Sequence, residues 1–324
     1  MRAIVVDRWM EPSDLKVSEA PEPRLLPGTL LLDVRAAGCN FFDILMLQGR
    51  YQVKPPFPFV PGAEVAGVVR AVGEGVSGFA AGDRVLASSG LGGFAERAVV
   101  GARGAYPMPA GMSFEEGAGF PIVYPTAYAG LVHRGRLREG ETLLVHAAAG
   151  GVGIAAVQIG KALGARVLAT AGGPEKCEVA LRAGADVAID YAREDFVARV
   201  KQETGGRGAD VIYDSVGGET FEGSLKCIAW NGRLVVIGFA GGTIPTVAAN
   251  RILLKNIEVT GLHWGAYAQH QPETIPEVFR ALFALYEAGR IRPVVFRAYP
   301  LDEAGQALVE LGSRRTFGKV VLTP

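Results

Sequence analysis

The sequence predicts an α/β protein: a doubly wound parallel sheet of six strands, preceded by a compact barrel-like domain. Three observations predict it. Residues 1 to about 120 carry short β-branched or alternating runs, bounded by Pro27-Gly28, Pro61-Gly62 and Gly82-Asp83, and such density of short strands suggests a small barrel. From Glu141 to Leu262 strand-like and helix-like patterns alternate, which calls for crossovers and a parallel sheet. Where the first strand of that alternation meets its first helix stands a glycine corner, Gly150, Gly151 and Gly153. At 324 residues the chain has room for two domains.

In chain order, the first strands are expected at Ala3–Val6, Leu30–Ala36, Glu64–Val72, Arg84–Ala87 and Ala95–Val100. Ser113 and Glu116 form a capping box, so a helix should follow. Pro121 and Pro125 then lead into a helical piece from Thr126 to His133. The parallel strands are expected at Thr142–His146, Arg166–Thr170, Val187–Asp190, Asp210–Asp214, Arg233–Gly238 and Ile257–Leu262. Helical patterns fill the gaps at Val152–Leu163, Pro174–Ala183, Glu194–Thr204, Thr220–Ala229 and Ala249–Lys255. A long amphipathic helix, Pro272–Ala288, a shorter one, Asp302–Leu311, and a strand from Phe317 complete the chain. Too little chain remains for a third domain, so the tail should rejoin the first. The expected division is therefore 1–120, 121–262 and a return at 263–324.

The glycine corner has a chemical reading. A helix N-terminus offers free N–H groups and the positive end of its dipole, and glycines let a pyrophosphate approach that backbone. Alanine stands where the first glycine of G-x-G-x-x-G would be, with Gly150 and Gly153 in the second and third places. Such a corner also serves plain helix-on-strand packing, and it is the strand-turn-helix context that favours a dinucleotide. Dinucleotide sheets that prefer NAD place an acid about twenty residues beyond the glycines. Here the second strand ends in Ala169-Thr-Ala-Gly-Gly173 with no acid at its tip, and Glu175 falls in the first turn of the next helix. A 2′-phosphate would meet no repulsion there, with Lys176 and Tyr191 available to hold it. NADPH is favoured over NADH.

Composition narrows the rest. Thirty-three basic residues balance thirty-three acidic ones, and no basic run is visible, so neither nucleic acid nor an anionic membrane is expected as a partner. No apolar stretch is long enough to span a bilayer, and Met1–Met10 lacks a signal-peptide core; a cytoplasmic protein is expected. Cys39, Cys177 and Cys227 are odd in number and far apart, and His133, His146, His263 and His270 show no H-x-x-x-H pair. No metal site is expected from them.

Taken together, N-F-F-D at Asn40, V-P-G-A-E-V-A-G at Val60, A-G-D-R-V at Ala81, V-H-A-A-A-G-G-V-G at Val145, V-I-Y-D-S-V-G-G at Val211, G-R-L-V-V-I-G at Gly232 and G-K-V-V-L at Gly318 resemble the medium-chain dehydrogenase/reductase superfamily. Within it they are most similar to the zinc-free quinone oxidoreductase (zeta-crystallin-like) branch. The resemblance covers essentially the whole chain. It implies a GroES-like first domain rejoined by the tail, a Rossmann domain between, a cleft for NADPH, and a homodimer or homotetramer. Zinc-dependent relatives carry a cysteine and a histidine where this chain has Asn40 and Ala63. Cys39, one place off, would be a lone ligand, and a catalytic zinc needs about three. Without a Lewis acid the expected chemistry is hydride addition to an electron-poor acceptor, a quinone or an α,β-unsaturated carbonyl.

By the same resemblance Asn40 and Thr126 lie near the nicotinamide and its ribose. Ala149, Gly150, Gly151 and Val152 meet the pyrophosphate, and Gly172, Lys176 and Tyr191 surround the adenosine phosphate. Gly238, Phe239, Ala240 and Gly241 line the nicotinamide face, Leu262, His263 and Trp264 close the cleft, and Lys319 reaches the cofactor from the tail. Better-known quinone reductases have a tyrosine and an arginine where this chain has Leu45 and Leu47. The pattern D-I-x-x-x-Q-G-x-Y, from Asp43 to Tyr51, is closer to the enoyl thioester reductases of the superfamily, whose matching tyrosine is regarded as an acid. Tyr51 is accordingly the expected proton donor, with Asn40 beside it; the residues alone leave open a tyrosine merely packed at a loop edge. Two other functions stay open: reduction of enoyl thioesters, and a non-catalytic nucleotide-binding role such as relatives play in the lens.

Overall fold

Two compact units, residues 1–122 with 293–324 and residues 123–292, make up the computed structural model, which describes all of residues 1–324. The first unit begins with β1 (Arg2–Ile4), β2 (Val17–Glu19) and β3 (Thr29–Cys39), followed by α1 (Phe41–Leu47). β4 (Glu64–Val72), β5 (Arg84–Ser88), β6 (Arg97–Gly101) and β7 (Ala105–Pro107) lead to α2 (Phe114–Ala118). Ser113 caps α2 as expected: its Oγ accepts the Glu116 N–H at 3.2 Å, while Glu116 accepts the Ser113 N–H at 3.0 Å.

α1 has no counterpart in the sequence-based expectation. Phe41-Phe-Asp-Ile-Leu-Met-Leu47 reads equally well as a buried strand, since apolar runs of this length do not distinguish the two. What decides is the pair of ends. At the start the Asn40 N–H donates to Asp43 Oδ2 at 2.7 Å; at the finish Gly49 takes a left-handed φ of 65°, the usual helix stop.

The second unit runs α3 (Val123–Tyr128), a π-helical stretch (Ala129–Arg134), β8 (Thr142–Val145), α4 (Gly151–Ala162), β9 (Arg166–Ala171), α5 (Pro174–Arg182) and β10 (Val187–Asp190). It continues through α6 (Phe196–Glu203), β11 (Ala209–Asp214), α7 (Gly218–Cys227), β12 (Ile228–Val236), α8 (Ala249–Lys255), β13 (Glu258–Gly261), α9 (Tyr267–His270) and α10 (Thr274–Glu287). Its six strands are parallel in the order β10-β9-β8-β11-β12-β13. The chain steps outward from β8 to β10 and returns beside β8 at β11, so the topological switch lies between those two strands, beyond which such sheets bind ligands.

β14 (Val295–Pro300), α11 (Ala304–Gly312) and β15 (Lys319–Thr323) then return to the first unit. β15 pairs with β3 through Val320↔Cys39 and extends the sheet β14-β15-β3-β4-β5-β7.

Three departures from the sequence expectation have a clear physical reason. The return to the first unit comes at Pro293, not at 263, because α10 packs its apolar face on α3 within the second unit. β12 begins at Ile228, not Arg233, and absorbs Asn231 at φ 58° with a register shift against β11. Pro125 lies inside α3, near enough to its start that little helical hydrogen bonding is lost. Each unit has its own core, Leu30, Leu47, Phe94 and Leu322 in the first and Leu144, Leu168, Ile212 and Leu234 in the second.

Candidate functional site

Parallel strands put all their carboxyl ends on one edge of the sheet, and most of the expected cofactor residues of the second unit fall there. Ala149, Gly150, Gly151 and Val152 follow β8, Gly172 and Lys176 follow β9, and Tyr191 follows β10. Gly238, Phe239, Ala240 and Gly241 follow β12, and Leu262, His263 and Trp264 follow β13. Thr126 sits in α3 of the same unit.

The glycines of the corner divide the work. Ala147 turns the chain at φ 50°, and Gly150 caps α4 in extended backbone. A Cβ on Gly153 would lie 2.3 Å from the Ala147 carbonyl oxygen. That glycine is required by helix-on-strand packing. Gly150 is exposed, and a Cβ there would meet only the Ala147 carbonyl oxygen at 3.4 Å. It leaves the first N–H groups of α4 open to an anion. Packing and phosphate approach are both served, by different glycines.

The β9 tip fits a phosphorylated ribose. Gly173 takes φ 88°, and its N–H donates to Asp190 Oδ1 at 2.8 Å. The nearby buried acid is thus committed: Asp190 holds this turn and also accepts the Ala192 N–H at 3.1 Å. Glu175 is exposed in the first turn of α5. Tyr191, 57% exposed, holds its hydroxyl 2.6 Å from where a Gly172 Cβ would stand; only glycine fits beneath it. Farther along the edge Ala240 and Gly241 N–H groups donate to Ser215 and Val216 carbonyls at 3.0 and 2.8 Å, tying the loop after β12 to the end of β11.

The first unit holds Asn40, Tyr51 and Lys319. Lys319, expected to reach the cofactor from the tail, is turned inward in its own unit. It is 4% exposed, and its ammonium donates to the Cys39 carbonyl at 2.7 Å, Asn40 Oδ1 at 2.8 Å and Glu64 Oε1 at 2.7 Å. All three protons are spent. Asn40 is likewise enclosed: its amide accepts from Lys319 and donates to Glu64 Oε1 at 2.8 Å. Its position makes it a support for the end of β3. Glu64 completes the network by accepting the Ile122 N–H on Oε2 at 3.0 Å. Gly38 is obligatory here, since a Cβ would lie 2.5 Å from Glu64 Oε1.

Asp43 and Glu64 are the residues that reading the sequence did not single out for the site. Both lie inside motifs quoted above, but the cation that Glu64 meets is supplied by β15, more than 250 residues away, and the burial of Asp43 depends on a helix the sequence did not announce. Tyr51 is half-buried, stacked on Phe42 with ring centroids 5.4 Å apart.

The family profile for the alcohol dehydrogenase GroES-like domain matches residues 26–110, and that for the zinc-binding dehydrogenase matches residues 151–284. The quinone oxidoreductase-like protein 2 homolog of Nematostella vectensis is 41% identical over 292 residues, covering 89% of this chain and 80% of that protein. The quinone oxidoreductase of Pseudomonas aeruginosa is 40% identical over 292 residues, covering 90% and 89%. This chain belongs to the quinone oxidoreductase family of medium-chain dehydrogenase/reductases. Among solved structures, the Escherichia coli quinone oxidoreductase complexed with NADPH superposes with a TM-score of 0.93 at 35% identity, covering 100% of both chains. The Rossmann and GroES-like units of this family are the second and first units described above.

Asn40 and Ala63, at the positions where the resemblance drawn above puts the ligands of zinc-dependent relatives, carry neither thiolate nor imidazole here. A positive charge is present at the same corner in another form, the buried ammonium of Lys319 against Glu64.

Proposed function

We propose that this chain is an NADPH-dependent reductase of quinones and other electron-poor α,β-unsaturated carbonyls. The observation that carries the reading is the β8–α4 corner with open N–H groups, beside a β9 tip whose only buried acid, Asp190, is occupied by the Gly173 and Ala192 amides. Ala149 to Val152 would hold the pyrophosphate, and Gly172, Lys176 and Tyr191 the 2′-phosphate. Thr126, the Gly238–Gly241 loop and Leu262–Trp264 would orient the nicotinamide ring. When bound, NADPH supplies the hydride. Tyr51 gives its hydroxyl proton to the reduced acceptor, and the phenolate recovers one from solvent. A protic group of this kind contributes about a hundredfold or more to such a step.

The tests separate cofactor from chemistry. Lys176→Ala is expected to weaken NADPH about tenfold and NADH little, since only the former carries the extra phosphate; equal weakening would remove the assignment. Tyr51→Phe is expected to slow single-turnover quinone reduction about a hundredfold with NADPH affinity unchanged. A mutant as fast as the parent would exclude Tyr51. The D-I-x-x-x-Q-G-x-Y pattern ending at the stacked Tyr51 favours enoyl thioesters as the second reading. Faster turnover of crotonyl-CoA than of naphthoquinone would select it.

The same proposal includes a cytoplasmic homodimer or homotetramer with a small-molecule acceptor as its partner. The supports are three unpaired thiols, the unpaired outer edge of β13, and Leu253 and Leu254 of α8, exposed at 75% and 68%. No helix is long and apolar enough to cross a membrane. Light scattering that returned a monomer at micromolar concentration would remove the oligomer.

A further inference from the structure

Between the end of β12 at Val236 and the start of α8 at Ala249 the chain has no regular structure, and Phe239, Gly241, Gly242, Thr243 and Ile244 are exposed. A segment of this kind has little packing of its own to fix it. Its shape is set by the turn between β11 and α7. The Ala240 and Gly241 N–H groups donate to the Ser215 and Val216 carbonyls, as described above, and the Thr243 carbonyl accepts the Gly218 N–H at 3.1 Å. The two segments are in close contact: a Cβ on Gly241 would stand 2.9 Å from the Val216 carbonyl oxygen, and one on Gly217 would stand 3.0 Å from the Phe239 ring.

One side chain in turn sets that turn. Asp214 is the last residue of β11, on one side of the topological switch, and is fully buried. Its Oδ1 accepts the Val216 N–H at 2.8 Å and the Gly217 N–H at 3.0 Å, while Gly217 takes a left-handed φ of 74°. Gly217 is itself buried, so an N–H deprived of this acceptor would carry the desolvation cost of an unmade bond. Oδ2 is buried with no hydrogen-bond partner in the protein. The carboxyl thus works here through a single oxygen that gathers two amides.

We propose that Asp214 is a positioning residue for the nicotinamide end of the cofactor: by gathering the Val216 and Gly217 amides it aims the Ser215 and Val216 carbonyls, and these hold the Gly238–Gly241 loop in the form that receives the ring. This inference rests on the reading of that loop as the one that orients the nicotinamide. Asp214 needs no contact with the cofactor, because each link from its carboxyl to the loop is a hydrogen bond already made in the protein. The edge of the sheet is then divided by function. The β8–α4 corner and the β9 tip hold the phosphates, and the turn at Asp214 governs the far end alone. Loss of Asp214 should be felt by the nicotinamide half of the cofactor and not by the phosphate half. Hydride transfer should suffer more than binding, since a reacting atom misplaced by about 1 Å costs on the order of a hundredfold in rate.

The experiment compares two ligands of the full-length protein by calorimetry, NADPH and 2′-phospho-ADP-ribose, which lacks the nicotinamide. Asp214→Ala is expected to weaken NADPH about tenfold and 2′-phospho-ADP-ribose less than about twofold. Single-turnover naphthoquinone reduction at saturating NADPH should slow about a hundredfold. Asp214→Asn keeps an oxygen for the two amides, and should bring affinity and rate back to within about threefold of the parent. Gly241→Ala pushes the loop off the Val216 carbonyl without touching Asp214, and should show the same selective loss of NADPH. Independently of any variant, hydrogen exchange in the ligand-free parent should open the Val216, Gly217, Ala240 and Gly241 amides together. The role of Asp214 is overturned by Ala240 and Gly241 exchanging more than about tenfold ahead of Val216 and Gly217. It is overturned equally by Asp214→Ala weakening both ligands alike or neither, or by Asp214→Asn being as slow as Asp214→Ala. A Gly241→Ala protein that binds NADPH as the parent does overturns instead the reading of the loop beneath it.

Discussion

Lys319, Glu64 and Asn40 in the first unit, and His146, Thr170 and Ser224 in the second, are all at most 7% exposed, yet they are buried by opposite means. The first cluster keeps full charges and closes them on one another: an ammonium with three acceptors, and a carboxylate with two donors on one oxygen and a backbone N–H on the other. The second is neutral. Ser224 donates to the Thr220 carbonyl at 2.8 Å, so its oxygen must accept from His146 Nε2 at 2.8 Å, which fixes the ring proton on that nitrogen. Nδ1 then accepts from the Thr170 hydroxyl at 2.9 Å. An ionic cluster cannot lose one member without stranding a charge, whereas a neutral one fails only when a charge is forced into it.

The largest expected effect breaks the first cluster. Lys319→Met leaves Glu64 buried without its cation and should cost about 3 to 5 kcal/mol, read as the stability of first-unit amides in native-state hydrogen exchange. Adding Glu64→Gln should recover part of that loss. A single mutant within about 1 kcal/mol of the parent would show that the ion pair is not what holds β15 to β3 and β4.

The next effect sharpens the contrast through pH. Burial holds the His146 imidazole down at about 4, against an ordinary 6.5, with the Asp214 charge opposing. Its depressed value means that the unfolded chain binds the proton first, so stability is complete above about 6.5 and is lost as pH falls toward 4. Asp43 runs the other way. Its carboxyl is raised from 3.8 to about 7, so the folded form binds the proton first, and stability is complete below 3.8 and is lost as pH rises toward 7. At roughly 1.4 kcal/mol per pH unit, His146 is worth about 3.5 kcal/mol and Asp43 about 4.5 kcal/mol at most across its window. Between pH 4 and 6.5 the second unit should gain protection against hydrogen exchange while the first loses it. His146→Gln should flatten the former and Asp43→Asn the latter; parallel slopes in both units would contradict the assignment.

Much of this molecule was legible in the sequence because much of it is local. Glu64–Val72, Val187–Asp190 and Ala249–Lys255 fall within the bounds that periodicity sets, and the Ser113–Glu116 box closes over three residues. The glycine corner was legible in kind but not in detail: only the tertiary structure separates Gly153, which packs, from Gly150, which stays open. α1 was not legible, since its apolar heptapeptide fits either regular structure and its boundaries depend on Asp43 and on Gly49 against Trp9. Nor was the enclosure of Asn40 and Lys319, because a lysine six residues from the end gives no local sign of the carboxylate at position 64 that it will meet.

The sequence by itself determined the alternation that makes a parallel sheet, the strand-glycine-helix corner at its centre, and the want of an acid beyond β9. These follow from side-chain periodicity and from the backbone freedom of glycine, which act over a few residues. Only the tertiary structure decided which polar groups are shut in together. Lys319 with Glu64, and His146 with Ser224, owe their charge states to the removal of water around them, and that removal depends on strands and helices far apart in the chain coming to lie side by side.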